Sequence, residues 1–495
     1  MTEPGLALKS AAGRGVLAAT ILGSGMAMLD GTVVNVALPR IGGDLDAGLT
    51  ALQWTVNAYT LTLAGFLLLG GSLGDHLGRR RIYVVGVVWF TVASIGCAVA
   101  PTAGLLIAMR LLQGVGAALL TPGSLAIIES VFRRDDRAAA VGSWSGLGGV
   151  ATAVGPVVGG VLVGVAPWGW RLVFLLNVPL AAAVVWLAVR YVPELRDDDA
   201  EPHYDVPGVV LAAAGLALTV LALTDGPTRG WPVGIIVLLI VGVVLLAAFV
   251  VVEARSRHPM MPLSLFADRQ FVAANAVTFV MYAALGGSLF LIPVQLQRVS
   301  GFTPVAAGSA LLPMTFVMLL LSSRAGRLAA RIGARGPMTV GPIVAGLGLV
   351  LLVRVGEHAS YATDVLPAVV VFALGLSATV APLTATALAA APPRQVGVAS
   401  AVNNDIARVA GLLAVAVLPG LAGITPAAYD RPAELSAGFH HAVVVAGVLC
   451  AVGGVLSFVL LARAGVPGPP PAGTPAGTEP SRDAARCPLD APHHH

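Results

Sequence analysis

Apolar residues along this chain come in long, nearly unbroken runs, not in the one-sided stripe of a surface helix. They fall at 14–38, 50–72, 82–100, 103–131, 139–165, 171–190, 206–225, 233–252, 271–296, 304–326, 337–355, 364–391, 395–422 and 438–463. Each run approaches or exceeds the roughly 20 residues needed to cross a bilayer. Arginines, prolines and glycines punctuate the runs, and the gaps are too short for a soluble domain. Only helices and closed barrels satisfy their backbone inside lipid. The pattern therefore predicts an all-α polytopic membrane protein with 14 transmembrane helices.

Composition agrees, with 57% of the 495 residues hydrophobic and 11% charged, against about 25% charged in soluble domains. Lys9 is the only lysine. Beyond it no nucleotide-binding P-loop lysine and no Schiff-base lysine is available. Cys97, Cys450 and Cys487 follow no disulfide or metal spacing, so no metal or cofactor is expected. The arginines are scattered over short loops and form no basic stripe, which argues against a nucleic-acid partner. Lys9 and Arg14 lead straight into the first run, so no separate cleavable signal is expected.

Sorted by side, 21 of the 29 basic residues fall with the N-terminus and six fall opposite, while Arg110 and Arg408 lie inside helices. Positive loops stay inside. Both termini are therefore expected in the cytoplasm of a bacterial cell, with the chain in the inner (plasma) membrane. A weak repeat supports a division into halves. Gly71-Ser-Leu-Gly-Asp75-His-Leu-Gly78-Arg-Arg-Arg81 is echoed by Gly326-Arg-Leu-Ala-Ala-Arg-Ile-Gly333-Ala-Arg335, with Ala330 replacing Asp75. The organisation expected is a cytoplasmic N-terminus at 1–13, a six-helix bundle at 14–190 and a cytoplasmic linker at 191–205. Two inserted helices follow at 206–252, then a second linker at 253–270, a second six-helix bundle at 271–463 and a disordered Pro/Gly-rich tail at 464–495. Repeated halves around a midplane site are a common plan of secondary transporters.

Asp30 and Asp405 are the two acids deep inside predicted helices. A carboxylate at such depth is expensive and is read as functional by default. Asp30 lies about eight residues, roughly 12 Å, below the end of its helix, and Arg110 lies at matching depth in the fourth. Burial favours the neutral acid and a nearby cation favours the carboxylate, so an acid held between the two can load and release a proton. Asp405 has Arg408 three residues on. The two are either part of a proton and substrate site or an intrahelical ion pair. Asn403 and Asn404 either contact substrate or hold helices together. Gly155, Pro156, Gly159 and Gly160 permit a bend and a close helix approach.

These segments resemble the major facilitator superfamily, specifically its fourteen-helix drug:proton antiporter branch. The resemblance covers about residues 14–463. It rests on Leu29-Asp30-Gly-Thr-Val-Val-Asn35-Val-Ala-Leu-Pro39, the loop Gly71 to Arg81, and Arg110-Leu-Leu-Gln113-Gly114-Val-Gly116. It rests also on Gly155-Pro156-Val-Val-Gly159-Gly160, and on Trp170-Arg171 with Asn177-Val-Pro179. What it implies is a 6+2+6 major facilitator fold and export of hydrophobic, cationic drugs or antibiotics in exchange for protons, without enzymatic activity. Asp30, Asp405 and Arg110 would couple to the proton. Asp30, Asn57, Gln113, Trp144, Asn275, Tyr282, Asn403 and Asn404 would line the substrate site, with Trp54, Tyr59 and Gln295 as further cavity candidates. Gly71, Asp75, Gly78 and Arg79 would latch the halves, with Glu129 and Arg133 as partners of Asp75. Gly155, Pro156, Gly159 and Gly160 would form a hinge or seal. The expected partners are a small hydrophobic substrate, protons and the lipid bilayer, with the chain a monomer. Alternatives are a symporter or uniporter for a metabolite or lipid, and, with less support, a membrane-embedded transferase.

Overall fold

The computed structural model describes residues 5–196, 205–256, 259–392 and 395–461. The expected tail at 464–495 and the middle of each linker lie outside the described residues. The first half contains α1 (Ala11–Asp44), α2 (Leu49–Leu77), α3 (Arg79–Ala98), α4 (Ala103–Val131), α5 (Arg134–Val165) and α6 (Trp170–Tyr191). The inserted pair is α7 (Val206–Arg229) and α8 (Val233–Arg255). The second half contains α9 (Arg269–Arg298), α10 (Pro304–Ile332), α11 (Arg335–Arg354), α12 (Tyr361–Ala389), α13 (Val396–Leu421) and α14 (Pro432–Leu460). Among the described residues 13 helices are long and apolar enough to span a bilayer, and α2 makes 14 when its two segments count as one.

Local chemistry sets the helix ends. Side chains of Ser10, Thr102, Asp205, Asp268 and Thr303 accept backbone N–H bonds at the starts of α1, α4, α7, α9 and α10, as N-caps do. The two glycines matched by the sequence repeat, Gly78 and Gly333, close α2 and α10 with φ of 105° and 90°. Both conformations favour glycine, so the repeat marks two equivalent turns. α1 runs to Asp44, six residues past the predicted 38, because Asp44 is held there by Trp170 Nε1 at 2.9 Å and by Arg171.

The inserted α7 lies along the seam between the halves. Its Leu216 and Val220 pack with Leu61 of α2 and with Leu412 and Ala416 of α13. A Cβ on Gly65 of α2 would meet Ala213 of α7, and one on Gly420 of α13 would meet Pro227. α8 packs on α7 through Gly215 and Gly242 and is otherwise turned outward, with 11% of its apolar window buried.

The two halves meet at one end of the molecule. There Gln53 of α2 donates to the Val415 carbonyl of α13 at 2.7 Å, and Gln297 of α9 donates to the Val36 carbonyl of α1 at 2.9 Å. On α5, a Cβ at Gly160 would fall 2.5 Å from the Pro304 carbonyl oxygen, and Gly308 faces the Pro156 carbonyl. One helical stripe of α5 runs through 160, 156, 149, 146 and 142. Along it, a Cβ at Gly149, Gly146 or Gly142 would have nothing within 4 Å. The halves touch at the Pro156 and Gly160 level and diverge from there toward the Gly78 turn. At that open end the N-terminal segment is strapped to the α4–α5 corner: Leu6 N–H donates to Val131, Arg133 N–H to Leu6, and Arg133 Nε to the Gly5 carbonyl.

Candidate functional site

Asp30, fully buried, sits at the centre of a polar cage inside the first half. Pro39, one turn before the end of α1, leaves the Asp30 turn intact, and small neighbours at Gly31 and Ala27 let other helices approach. Three donors converge on its carboxylate. Arg110 Nη1 of α4 donates to Oδ2. Gln113 Nε2, one turn along α4, and Asn177 Nδ2 of α6 donate to Oδ1 at 2.9 and 3.0 Å. The same two amides donate to Ser94 Oγ of α3 at 2.6 and 3.1 Å.

Arg110 is itself enclosed, with 1% of its surface exposed. Besides Asp30 it reaches the Gln113 Oε1 at 2.7 Å, and its Nε donates to the Thr55 carbonyl of α2 at 3.0 Å. Its guanidinium lies over the Tyr59 ring at 4.4 Å, and the Tyr59 hydroxyl donates to the Ala27 carbonyl. Unlike charges buried together need such complete hydrogen bonding to offset desolvation. The expected approach of Arg110 to Asp30 is present. Asn177, Ser94 and the Thr55 carbonyl complete the cage; of these, sequence marked only Asn177, and only as a motif letter.

The second aspartate–arginine set differs. Asp405 and Arg408 are both half-buried on α13. The i,i+3 ion pair that their spacing allows is not formed, and Asp405 Oδ1 is buried without a partner. Asn403 serves α13–α9 packing: its amide donates to Asn275 Oδ1 at 3.0 Å and Thr278 Oγ1 at 2.9 Å, while Asn275 donates to the Phe271 carbonyl. Asn404 is exposed and donates to the Ser400 carbonyl of its own helix.

The other candidates differ in their surroundings. Asn57 is fully buried and neither atom of its amide has a partner. Tyr282 is half-buried on α9. Trp54, near the contact end of α2, donates to Asp225 of α7 at 3.5 Å, where Arg229 also pairs with Asp225 at 2.9 Å. Trp144 of α5 donates to Ser24 Oγ of α1 at 3.0 Å. Gln295 is committed within the second half, to the Val355 carbonyl and Ser436.

In the Gly71 to Arg81 loop, Asp75 pairs with Arg79 of the next helix at 2.8 Å, and Arg79 also donates to the Ala126 carbonyl of α4. Glu129 is exposed and Arg133 binds the N-terminal segment, so neither meets Asp75 in this conformation. Gly71 lies against Pro122 at ordinary contact distance. Gly155 and Gly159 seat α5 on α1 against Thr32 and Val33, while Pro156 and Gly160 form the contact with α10. Among the described residues no group of three or more His, Cys, Asp or Glu is placed to hold a metal.

Comparison with known proteins is consistent with this architecture. The chain is 37% identical over 404 residues to Multidrug resistance protein Stp of Mycobacterium tuberculosis, covering 81% of this chain and 74% of that one. It is 36% identical to Puromycin resistance protein pur8 of Streptomyces alboniger, covering 90% and 89%. It is 34% identical to the Methylenomycin A resistance protein of Streptomyces coelicolor, covering 88% and 90%. A bacterial homolog of the human lysosomal transporter Spinster, solved in an inward-facing and unoccupied conformation, shares the fold at a TM-score of 0.64 and 18% identity, over 91% of this chain and 97% of that one. The relatives are antibiotic and multidrug resistance proteins, and the chain is accordingly a multi-pass transporter of bacterial inner-membrane type and not an enzyme. The sequence pattern of the Major Facilitator Superfamily matches residues 20–416, and the chain belongs to that family.

Proposed function

We propose that the protein exports hydrophobic drug-like compounds in exchange for protons, by alternating access of its two halves. The resistance proteins it resembles support drug export. The observation that carries the proton step is the Asp30 cage, because a single buried carboxylate there gathers three donors, one of them the Arg110 guanidinium.

With the arginine-rich side placed in the cytoplasm, the gap between the halves faces the cytoplasm and the Gln53, Gln297 and Gly160 contacts close the outside. This is the state that loads cargo. A proton reaching Asp30 converts an anionic acceptor into a neutral acid, weakening charge-assisted bonds that are roughly twice as strong as neutral ones. Arg110 is then released. Arg110 also holds the Thr55 carbonyl of α2, two residues from Gln53, which ties α2 to α13. Protonation thus acts on the helix that carries an outer closure, and proton loss on the cytoplasmic side restores the cage. The Asp75–Arg79 pair stays within its own loop in the inward-open state. In the opposite state Asp75 is available to the other half, as the latch expected of this loop requires.

The test is efflux from proteoliposomes driven by an imposed pH gradient. Asp30→Asn keeps the shape of the cage and removes the titrating acid. Gradient-driven transport is expected to fall to the protein-free background, while substrate exchange without a gradient continues. Full gradient-driven transport by Asp30→Asn overturns the proposal.

A further inference from the structure

At the seam between the halves, α13 carries a charged side chain that no hydrogen bond or ion pair holds. Arg408 is half-buried in the middle of α13, a depth at which an unpaired cation is costly. Among the described residues no carboxylate, carbonyl or ring is bonded to it; Asp405, one turn away, leaves its own Oδ1 unbonded rather than pairing. The rotation of α13 fixes where Arg408 stands. Asn403 and Gly411 face α9, and Leu412 and Ala416 face α2 and α7. At about 100° per residue, Arg408 comes between these two faces, in the angle enclosed by α9 and α2. On α2, one turn from Gln53, the amide of Asn57 is also buried and unbonded.

We propose that Arg408 recognises an acidic group of the exported compound, a carboxylate or an ionised phenol. Its cargo is then an acidic or zwitterionic hydrophobic molecule and not the purely cationic class. The proposal rests on the export function above and names the cargo of that function. A guanidinium offers a planar fork of donors that fits a carboxylate in two-point fashion. In a site of low dielectric that pairing removes the cost of the lone charge, whereas a cationic ligand adds a second like charge to it. The Asp30 set cannot serve in this way, since Arg110 already has its anion.

Binding of two dyes of similar size, anionic fluorescein and cationic ethidium, to the purified full chain in nanodiscs tests this by fluorescence polarisation. Wild type should bind fluorescein. Arg408→Gln should weaken that binding by about tenfold or more, the worth of one charged hydrogen-bonded contact, and tighten ethidium binding about two- to fivefold by removing one screened like charge. Arg408→Lys should recover most of the affinity. Asp405→Asn removes a competing anion and should tighten fluorescein binding about two- to fivefold, by one screened charge interaction. Should Arg408→Gln fail to fold, the Asp405→Asn arm decides: tightening supports the proposal and no change overturns it. Equal fluorescein affinity in wild type and Arg408→Gln overturns it, as does a wild type that binds ethidium alone. Export of the bound dye from vesicles is read separately. A dye that binds through Arg408 but is never exported overturns the export function and leaves the recognition role standing.

Discussion

Each half of the molecule carries one aspartate and one arginine deep in its helices, and the two sets are built in opposite ways. In the first half Asp30 and Arg110 come from different helices, and α2, α3 and α6 close around them until 0% and 1% of their surfaces are exposed. In the second half Asp405 and Arg408 are neighbours on one helix, yet no ion pair joins them and both stay half-buried. Tyr59 of α2 lies under Arg110 and closes the first set on the side of the seam. The difference is one of commitment. A charge whose partners are all supplied by the fold can respond only to what changes those partners, and a proton is small enough to do so. A charge that no hydrogen bond holds is free to meet something larger.

Three substitutions bear on that contrast. Arg110→Gln leaves Asp30 buried without its cation, and breaking a buried pair in this way costs about 3–5 kcal/mol. Thermal unfolding of the detergent-solubilised protein should show a large loss, and adding Asp30→Asn should recover much of it. A double variant no more stable than the single one would show that Arg110 supports the fold by packing and not by charge. Asn177→Ala removes one donor from Asp30 and from Ser94, with an expected loss of about 1–3 kcal/mol for an unsatisfied buried group. A change below about 0.5 kcal/mol would mean that water replaces the amide. Arg408→Gln removes a half-buried charge that no bond offsets, so it should leave stability unchanged or raise it. A loss comparable to that of Arg110→Gln would erase the distinction between the halves.

Much of this was legible in the chain. The runs of apolar residues are long enough to give fourteen helices, because lipid tolerates little else. The depths of Asp30 and Arg110 could be matched by counting residues from the helix ends. The glycine pair Gly78 and Gly333 fell out of the repeat. What could not be read is rotation. Ser94 and the Thr55 carbonyl look ordinary in sequence, and only the turning of α3 and α2 about their axes brings them to the cage. The spacing of Asp405 and Arg408 permits an ion pair without requiring one, since each side chain has other rotamers and the neighbouring helices decide among them. Glu129 and Arg133 were plausible partners for Asp75, but Arg79 is nearer along the chain and the N-terminal segment takes Arg133. Helix ends ran long, as at Asp44, because polar residues continue a helix wherever a tertiary partner awaits them.

The α5 stripe that parts from α10 has a consequence for how variation acts on this protein. A methyl group added at Gly142, Gly146 or Gly149 meets nothing within 4 Å in this conformation. Such a change neither strains nor steadies that state beyond the helix propensity it adds. Any influence on turnover must therefore arise in the opposite conformation, as a bias between two populations and not as damage to either. A bias of 1.4 kcal/mol alters their ratio tenfold. Under the proposed alternating access, selection on those positions would act on time spent facing each side of the membrane, with folding yield left as a bystander.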